Sequence, residues 1–346
     1  MFTGMSDQLN QKHPLYLLAN KIDWSIFEES FKIYYSEKMG KPSKPIRLMV
    51  SLLILKYIRN LSDESVVEQW SENLYYQYFS GEQHFQAKIP CVPTELVAFR
   101  QRIGEAGVEL ILKESIRVNE PPDNDAHTPT VVSVNTTVQE KNITYPTDDK
   151  LYKKIIKKCW KIAHEEGIDL RQSYSRTVKK LSNVQRFKAR KNGAKEARKA
   201  SKTIKIIAGR LVRDVARKLP MERLGKHLTA LKRYQRVLTQ SRSDSDKLYS
   251  LHEPDVKCYA KGKEHKKFEF GSKASILVDQ NTGIIKGALN FTATIHDSKT
   301  LSEVFEQYER LNGKQADEVF VNRGYRGMKR YKLTQIHVPN PNKNIT

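Results

Sequence analysis

Residues 131–138 form a β-branched run, and about 130 residues then pass before the next strand pattern begins at Lys267. Six of the eight residues in that run are β-branched, which suits a pleated, half-buried surface. The stretch that follows has no such pattern. Thr147, followed by Asp148 and Asp149, reads as the cap and acidic first turn of a helix reaching about Glu166, with Gly167 as its stop. Helical patterning continues to Pro220 and again from Met221 to about Ser241, after which 241–246 is a polar loop. A fold with this order has to accommodate a long helical insertion directly after its first strand.

The insertion also carries the charge. Residues 150–247 hold 30 Lys and Arg against 8 Asp and Glu, while the rest of the chain balances at 31 of each. The whole net charge of +22 therefore sits in one block. Such a block repels itself unless a polyanion neutralises it, and each phosphate it contacts releases counterions. The densest run is Arg186, Lys188, Arg190 and Lys191, followed by Lys195, Arg198, Lys199 and Lys202. Spacings of three and four place many of these on one helical face. Contact with the phosphate backbone of double-stranded DNA, without sequence selectivity, is the preferred reading. A solvated helical face without a partner is the plainer alternative.

The N-terminal part, 14–118, reads as helical. Pro45 opens a segment over 46–59, Asn60 and Leu61 break it, and Ser62 caps a second segment with the stripe Val66, Val67, Trp70. The pair fits a helix-turn-helix and an ordinary helical hairpin equally well. Thr94 reads as the cap of a further helix, and another follows Gly107. The aromatic cluster Tyr75, Tyr76, Tyr78 and Phe79 fits a core better than base stacking. Residues 119–130, rich in Pro, Asp and Asn, form a linker. The expected organisation is a helical domain over 1–118, the linker over 119–130, and a mixed α/β domain over 131–346 that contains the basic insertion over 150–247.

Cys91, Cys159 and Cys258 are far apart and form no CxxC pair, so neither a disulfide framework nor a zinc site is indicated. The most apolar stretch, 48–58, is too short to span a bilayer. No apolar signal core appears in the first twenty residues. A cytoplasmic, nucleoid-associated protein without a membrane partner is expected.

Beyond the insertion, 267–278 and 284–294 flank the turn 279–283 as a hairpin. His296-Asp297-Ser298 then opens a helix with Leu301, Val304, Phe305 and Tyr308 on one face, and 319–321 is a short strand ending at Asn322. Three strands, a helix, and a fourth strand that needs a crossover to pair in parallel make the opening of a ribonuclease-H-like α+β core.

The motifs now carry a resemblance. The stretch from Val132-Ser133-Val134-Asn135-Thr136-Thr137 to Tyr145-Pro146-Thr147-Asp148 is similar to the first catalytic strand of DDE transposases of bacterial insertion sequences. Asp317-Glu318-Val319-Phe320-Val321-Asn322-Arg323-Gly324-Tyr325 resembles their second. His296-Asp297-Ser298, Leu61-Ser62-Asp63-Glu64 and Pro93-Thr94-Glu95-Leu96 resemble further family motifs. The resemblance implies DNA transposition. It implies binding of terminal inverted repeats by the N-terminal helices, a homodimer, and cleavage by two Mg²⁺ ions held by two Asp and one Glu. It further implies a place near the site for His296, and phosphate contact by Arg323 and Arg326.

This chain departs from that pattern where the chemistry lies. Both family Asp positions are Asn, at Asn135 and Asn322. Asn matches Asp in shape but offers one neutral acceptor oxygen and two donors, so Mg²⁺ binding should fail or weaken greatly. The resemblance places the third acid on a helix beyond Asn342-Lys343-Asn344-Ile345-Thr346. Among acids that could substitute, Asp297 is expected to cap its helix, Asp317 to face solvent, and Glu140 to lie past the strand. Random decay would seldom strike both ligand positions with the isosteric residue and spare the motifs around them. The expectation is a catalytically inactive member of the class or a DNA-binding protein, such as a repressor, derived from it.

Overall fold

The computed structural model describes residues 4–35, 43–121, 129–191, 193–241, 243–260 and 267–339. The N-terminal helices are α1 (Met5–Gln8), α2 (Pro14–Lys21), α3 (Ser25–Phe31), α4 (Ile46–Ile58), α5 (Asp63–Glu72), α6 (Leu74–Phe79) and α7 (Pro93–Asn119). They enclose a core built around Phe27, Leu52, Leu55, Trp70, Phe79 and Phe99. α4 is apolar on nearly all sides because its neighbours surround it, with eight of its residues buried. At the start of α7 the cap is Val92 rather than Thr94, because Pro93 takes the first helical position, where its missing N–H costs nothing. The Glu95 carboxylate accepts from the Val92 N–H at 3.0 Å. The expected break at Gly107 lies instead at Gly104, whose φ of 59° interrupts the helical ladder.

β1 (Val131–Glu140) opens the sheet, and the linker before it lies largely outside the described residues. The insertion follows as α8 (Asp148–Glu165), α9 (Ser175–Arg186), α10 (Gly193–Lys218) and α11 (Met221–Thr239). Thr147 caps α8, accepting from the Lys150 N–H, and Gly167 takes a φ of +64° just past its end, as expected. These helices have a core of their own, centred on Ile155, Ile156, Cys159, Ile204, Val215 and Val237. Glu166 pins α11 to the end of α8. Its carboxylate is 4% exposed and meets Arg223 at 2.9 Å, Lys226 at 3.0 Å and His227 at 2.8 Å.

That cluster gives a pH signature. Hydrogen bonds from His227, Lys226 and Arg223 hold the Glu166 carboxyl down to about 2, from an ordinary value of 4.5. A depressed acid contributes stability that is complete above its ordinary value and lost as pH falls toward the folded one. Glu166→Gln should lower the melting midpoint at pH 6, and the gap to the parent should close between pH 4.5 and 2. Parallel midpoint curves for the two proteins would show that the cluster does not stabilise the block.

The remaining strands are β2 (Lys257–Ala260), β3 (Phe268–Asp279), β4 (Ile285–Phe291), β5 (Glu318–Val321), β6 (Arg330–Tyr331) and β7 (Thr334–His337), with α12 (Leu301–Asn312) between β4 and β5. Their order is β2-β3-β1-β5-β7-β6, with β4 also on β3. β1 runs antiparallel to β3 and parallel to β5, and β5 runs parallel to β7. The hairpin is as expected: Asp279 Oδ1 accepts from the N–H groups of Asn281 and Thr282, at 2.9 Å each. A Cβ on Gly271 of β3 would lie 2.0 Å from the Gln139 carbonyl oxygen, so only glycine lets β1 and β3 pair there. One sheet face packs Val132, Val134, Val319 and Val321 against Leu301, Val304, Phe305 and Tyr308 of α12. Glu109 of α7 joins the N-terminal helices to this layer through Arg310, at 2.6 Å, and Gln307.

Candidate functional site

The parallel register of β1 and β5 sets Val134 beside Val321, and both side chains enter the α12 core. Side chains alternate across a strand, so the next residue of each chain points to the opposite face. Those residues are Asn135 and Asn322. They meet there: Asn322 Nδ2 donates to Asn135 Oδ1 at 2.9 Å. The other end of the Asn322 amide is also engaged, because its Oδ1 accepts from the Gly324 N–H at 2.9 Å and caps the 3₁₀ turn Arg323–Tyr325.

Asp297 borders this pair. A Cβ on Gly324 would lie 2.7 Å from Asp297 Oδ2 and 3.0 Å from Asn322 Oδ1, so the turn approaches both oxygens because residue 324 has no side chain. Asp297 does not cap its turn; His296 does, accepting from the Ser298 N–H at 3.4 Å with Ser298 Oγ 2.8 Å from the same Nδ1. Asp297 Oδ1 instead pairs with Lys273 Nζ at 2.5 Å, and that ammonium also donates to the Ile295 carbonyl at 2.6 Å. Lys273 of β3 is a buried cation that sequence reasoning missed, and its one signal is a lysine in the middle of an apolar strand. Tyr325 is fully buried, and burial pushes its hydroxyl up. Asp317 is exposed, yet its Oδ2 accepts from the Thr130 N–H at 2.6 Å and fixes the entry of β1 beside β5.

These donors do not fit a divalent cation. Each amide offers a single neutral oxygen, and both oxygens already accept hydrogen bonds. The adjacent carboxylate has a lysine counter-charge. Among the described residues no group of three or more His, Cys, Asp or Glu is placed to hold a metal ion.

The basic residues form a separate surface. Lys195, Arg198, Lys199 and Lys202 are exposed on the first turns of α10, but the densest run is not helical. Arg186 ends α9, while Lys188, Arg190 and Lys191 lie on the turn that follows. That turn is tight because a Cβ on Gly193 would fall 2.4 Å from the Phe187 carbonyl oxygen. Arg190 covers the Phe187 ring at 4.0 Å. Beside it, a groove of about 1010 Å³ between α8 and α9 is lined by Lys150, Lys153, Lys157, Lys179, Arg186 and Lys188, with Asp149 as an acidic member. Burial pushes the Lys153 ammonium down, with Asp149 opposing the shift and Arg186 adding a smaller push in the same direction. Arg323 and Arg326 are exposed beside the amide pair.

The N-terminal helices present a different charge. α5 exposes Glu64, Glu68 and Glu72 at a spacing of four, an acidic stripe that a phosphate backbone would repel.

Residues 4–102 match the family model described as Transposase domain (DUF772). The chain is also 40% identical over 179 residues to the Uncharacterized protein ORF8 in nfe locus of Rhizobium meliloti, an alignment covering 50% of this chain and 84% of the relative. The chain belongs to a transposase family. No solved structure matches it. The amide pair, the basic helices and the sheet of this transposase-family protein all lie outside the segment that the family model matches. No helix among its described residues is long and apolar enough to cross a membrane.

Proposed function

We propose that this chain is a DNA-binding transposition protein of the DDE class that holds element ends without cutting them. The observation that carries the reading is the Asn322–Asn135 hydrogen bond across two parallel strand ends. Two strand tips carrying oxygen ligands side by side are the arrangement that two-metal phosphodiester chemistry requires. Here the two tips are amides that satisfy one another, so the geometry is kept and the charge is lost. The strand order β4-β3-β1-β5-β7, with the first three antiparallel and the last three parallel, supports a ribonuclease-H-like sheet. The exposed cations of the turn after α9 and of α10 give the duplex its non-specific hold. Arg323 and Arg326 bring a phosphate to the amide pair. Two copies, each on one terminal inverted repeat, complete the assembly.

The test is a mobility-shift titration of duplexes bearing the element's terminal repeats, run in EDTA and in Mg²⁺, alongside a nicking assay on the same DNA. Equal binding in both buffers with intact strands is expected. Mg²⁺-dependent nicking by the parent chain, or loss of all binding in EDTA, would overturn the proposal.

A further inference from the structure

The helical block holds a second cationic feature, outside the run at 186–202. Arg210, Arg213 and Arg217 project from the later turns of α10, and Arg171 and Tyr174, from the loop before α9, close over them. With Asp214 they line a cavity of about 560 Å³. Asp214 is a committed acid: its Oδ2 accepts from the Arg171 backbone N–H at 3.0 Å, and its Oδ1 pairs with Arg217 at 2.7 Å and Lys218 at 3.5 Å. The Arg171 N–H and these cations hold its carboxyl below the usual range. Among the described residues, no carboxylate lies within ion-pair distance of the guanidinium of Arg171, Arg210 or Arg213. Tyr174, at the same wall, takes a left-handed φ of 59°, an uncommon backbone state for a tyrosine.

Three unpaired guanidinium groups around one hollow call for an anion with several acceptor oxygens. Their planar forks match the oxygens of a phosphate. Two features place that phosphate on DNA. First, Tyr174 lines this cavity and its neighbour Ser175 lines the α8–α9 groove, so the two hollows flank the start of α9. Second, Lys195, Lys199, Lys202, Arg210, Arg213 and Arg217 share roughly one third of the α10 circumference at about 3.6 residues per turn. From the middle of the Lys195–Lys202 run to Arg210 and Arg213 the helix rises about 20 Å, well within the length that one duplex covers in a single turn of roughly 34 Å.

We propose that the Arg171–Arg210–Arg213–Arg217 cavity binds a backbone phosphate of a duplex lying along α10, the same duplex whose phosphates Lys195–Lys202 meet. The proposal rests on the DNA-binding reading of the block. It adds a concave site that fixes the duplex in register, where the α10 face alone would let it slide.

The test compares the full-length parent with Arg171→Gln/Arg210→Gln/Arg213→Gln by fluorescence anisotropy on one long duplex of about 30 base pairs, which spans α10. On the long duplex the slope of log K against log salt should become shallower by about 0.9 for each phosphate that the variant no longer neutralises. Affinity near 0.15 M salt should fall about fivefold for one such phosphate. Arg210→Gln alone, at an exposed side chain, gives the same direction of change if the triple variant fails to fold. An unchanged slope on the long duplex overturns the proposal while leaving DNA binding by the block intact. Calorimetric binding of inorganic phosphate to the parent, abolished in the variant with the DNA slope unchanged, assigns the cavity to free phosphate and overturns it as well. A parent chain that does not bind the duplex sinks the underlying reading, and this one with it.

Discussion

The double variant Asn135→Asp/Asn322→Asp is expected to melt below the parent in EDTA and to recover strongly in Mg²⁺ or Mn²⁺, while the parent's melting ignores both ions. At the parent site an Asn322 N–H bridges the two side chains at 2.9 Å. Two carboxylates in those positions would have acceptors facing acceptors. A carboxylate at 322 can still accept from the Gly324 N–H, so the local turn should survive. The repulsion within the pair, screened in part by solvent because both positions are exposed, raises one folded-state pKa. An acid with a raised folded pKa binds more protons folded than unfolded, so stability falls as pH rises through the carboxylate range. A rise of about one to two units costs about 1.4–2.7 kcal/mol at pH 7, and the cost vanishes in acid. A divalent ion reverses it: at about a hundredfold excess over Kd, binding to the folded state alone adds about 2.7 kcal/mol. Differential scanning fluorimetry at pH 5 and 7, with EDTA, Mg²⁺ and Mn²⁺, reads every part of this. If the double variant is as indifferent to metal as its parent, residues 135 and 322 do not stand on a metal-binding geometry.

The sequence made that pair findable, because flanking motifs identify both strand ends and the register then follows from alternation: Val134 and Val321 are inward, so Asn135 and Asn322 are outward together. α8 was equally legible, since its capping threonine, acidic first turn and terminal glycine are local signals. The elements that escaped are those set by partners rather than by pattern. β6 has two residues and β7 has four, mostly polar, so no alternation can build up; β7 is a strand because β5 offers an edge, and β6 because β7 then offers another. β2 pairs with the end of β3 in the same way. At Thr94 the rule for caps yielded to the fixed φ of Pro93. The basic run after Arg186 has helical spacing, yet the chain turns there because Gly193 packs against the Phe187 carbonyl, a packing that composition cannot announce. The role of Asp297 depended on Lys273, 24 residues away on another element, and long-range charge pairing leaves no mark on local sequence.

Replacing Lys195, Arg198, Lys199 and Lys202 together with Gln should weaken duplex binding near 0.15 M salt by about a thousandfold, with a slope of log K against log salt shallower by about 3.6, if each side chain meets one phosphate. All four are exposed on α10, and the inward residues Ala200, Ile204, Ile207 and Leu211 remain untouched. Gln is nearly as good a helix former as Lys or Arg, so the helix itself should hold. The stability readout separates a binding surface from a structural one. A structural role predicts a lower melting midpoint, whereas a surface in like-charge repulsion predicts a midpoint unchanged or raised when the charge is removed. Reduced affinity with an intact or higher midpoint therefore identifies the first turns of α10 as a DNA-binding surface. Unchanged affinity in a well-folded variant would move that surface elsewhere, and the excess charge of the insertion would then need another partner.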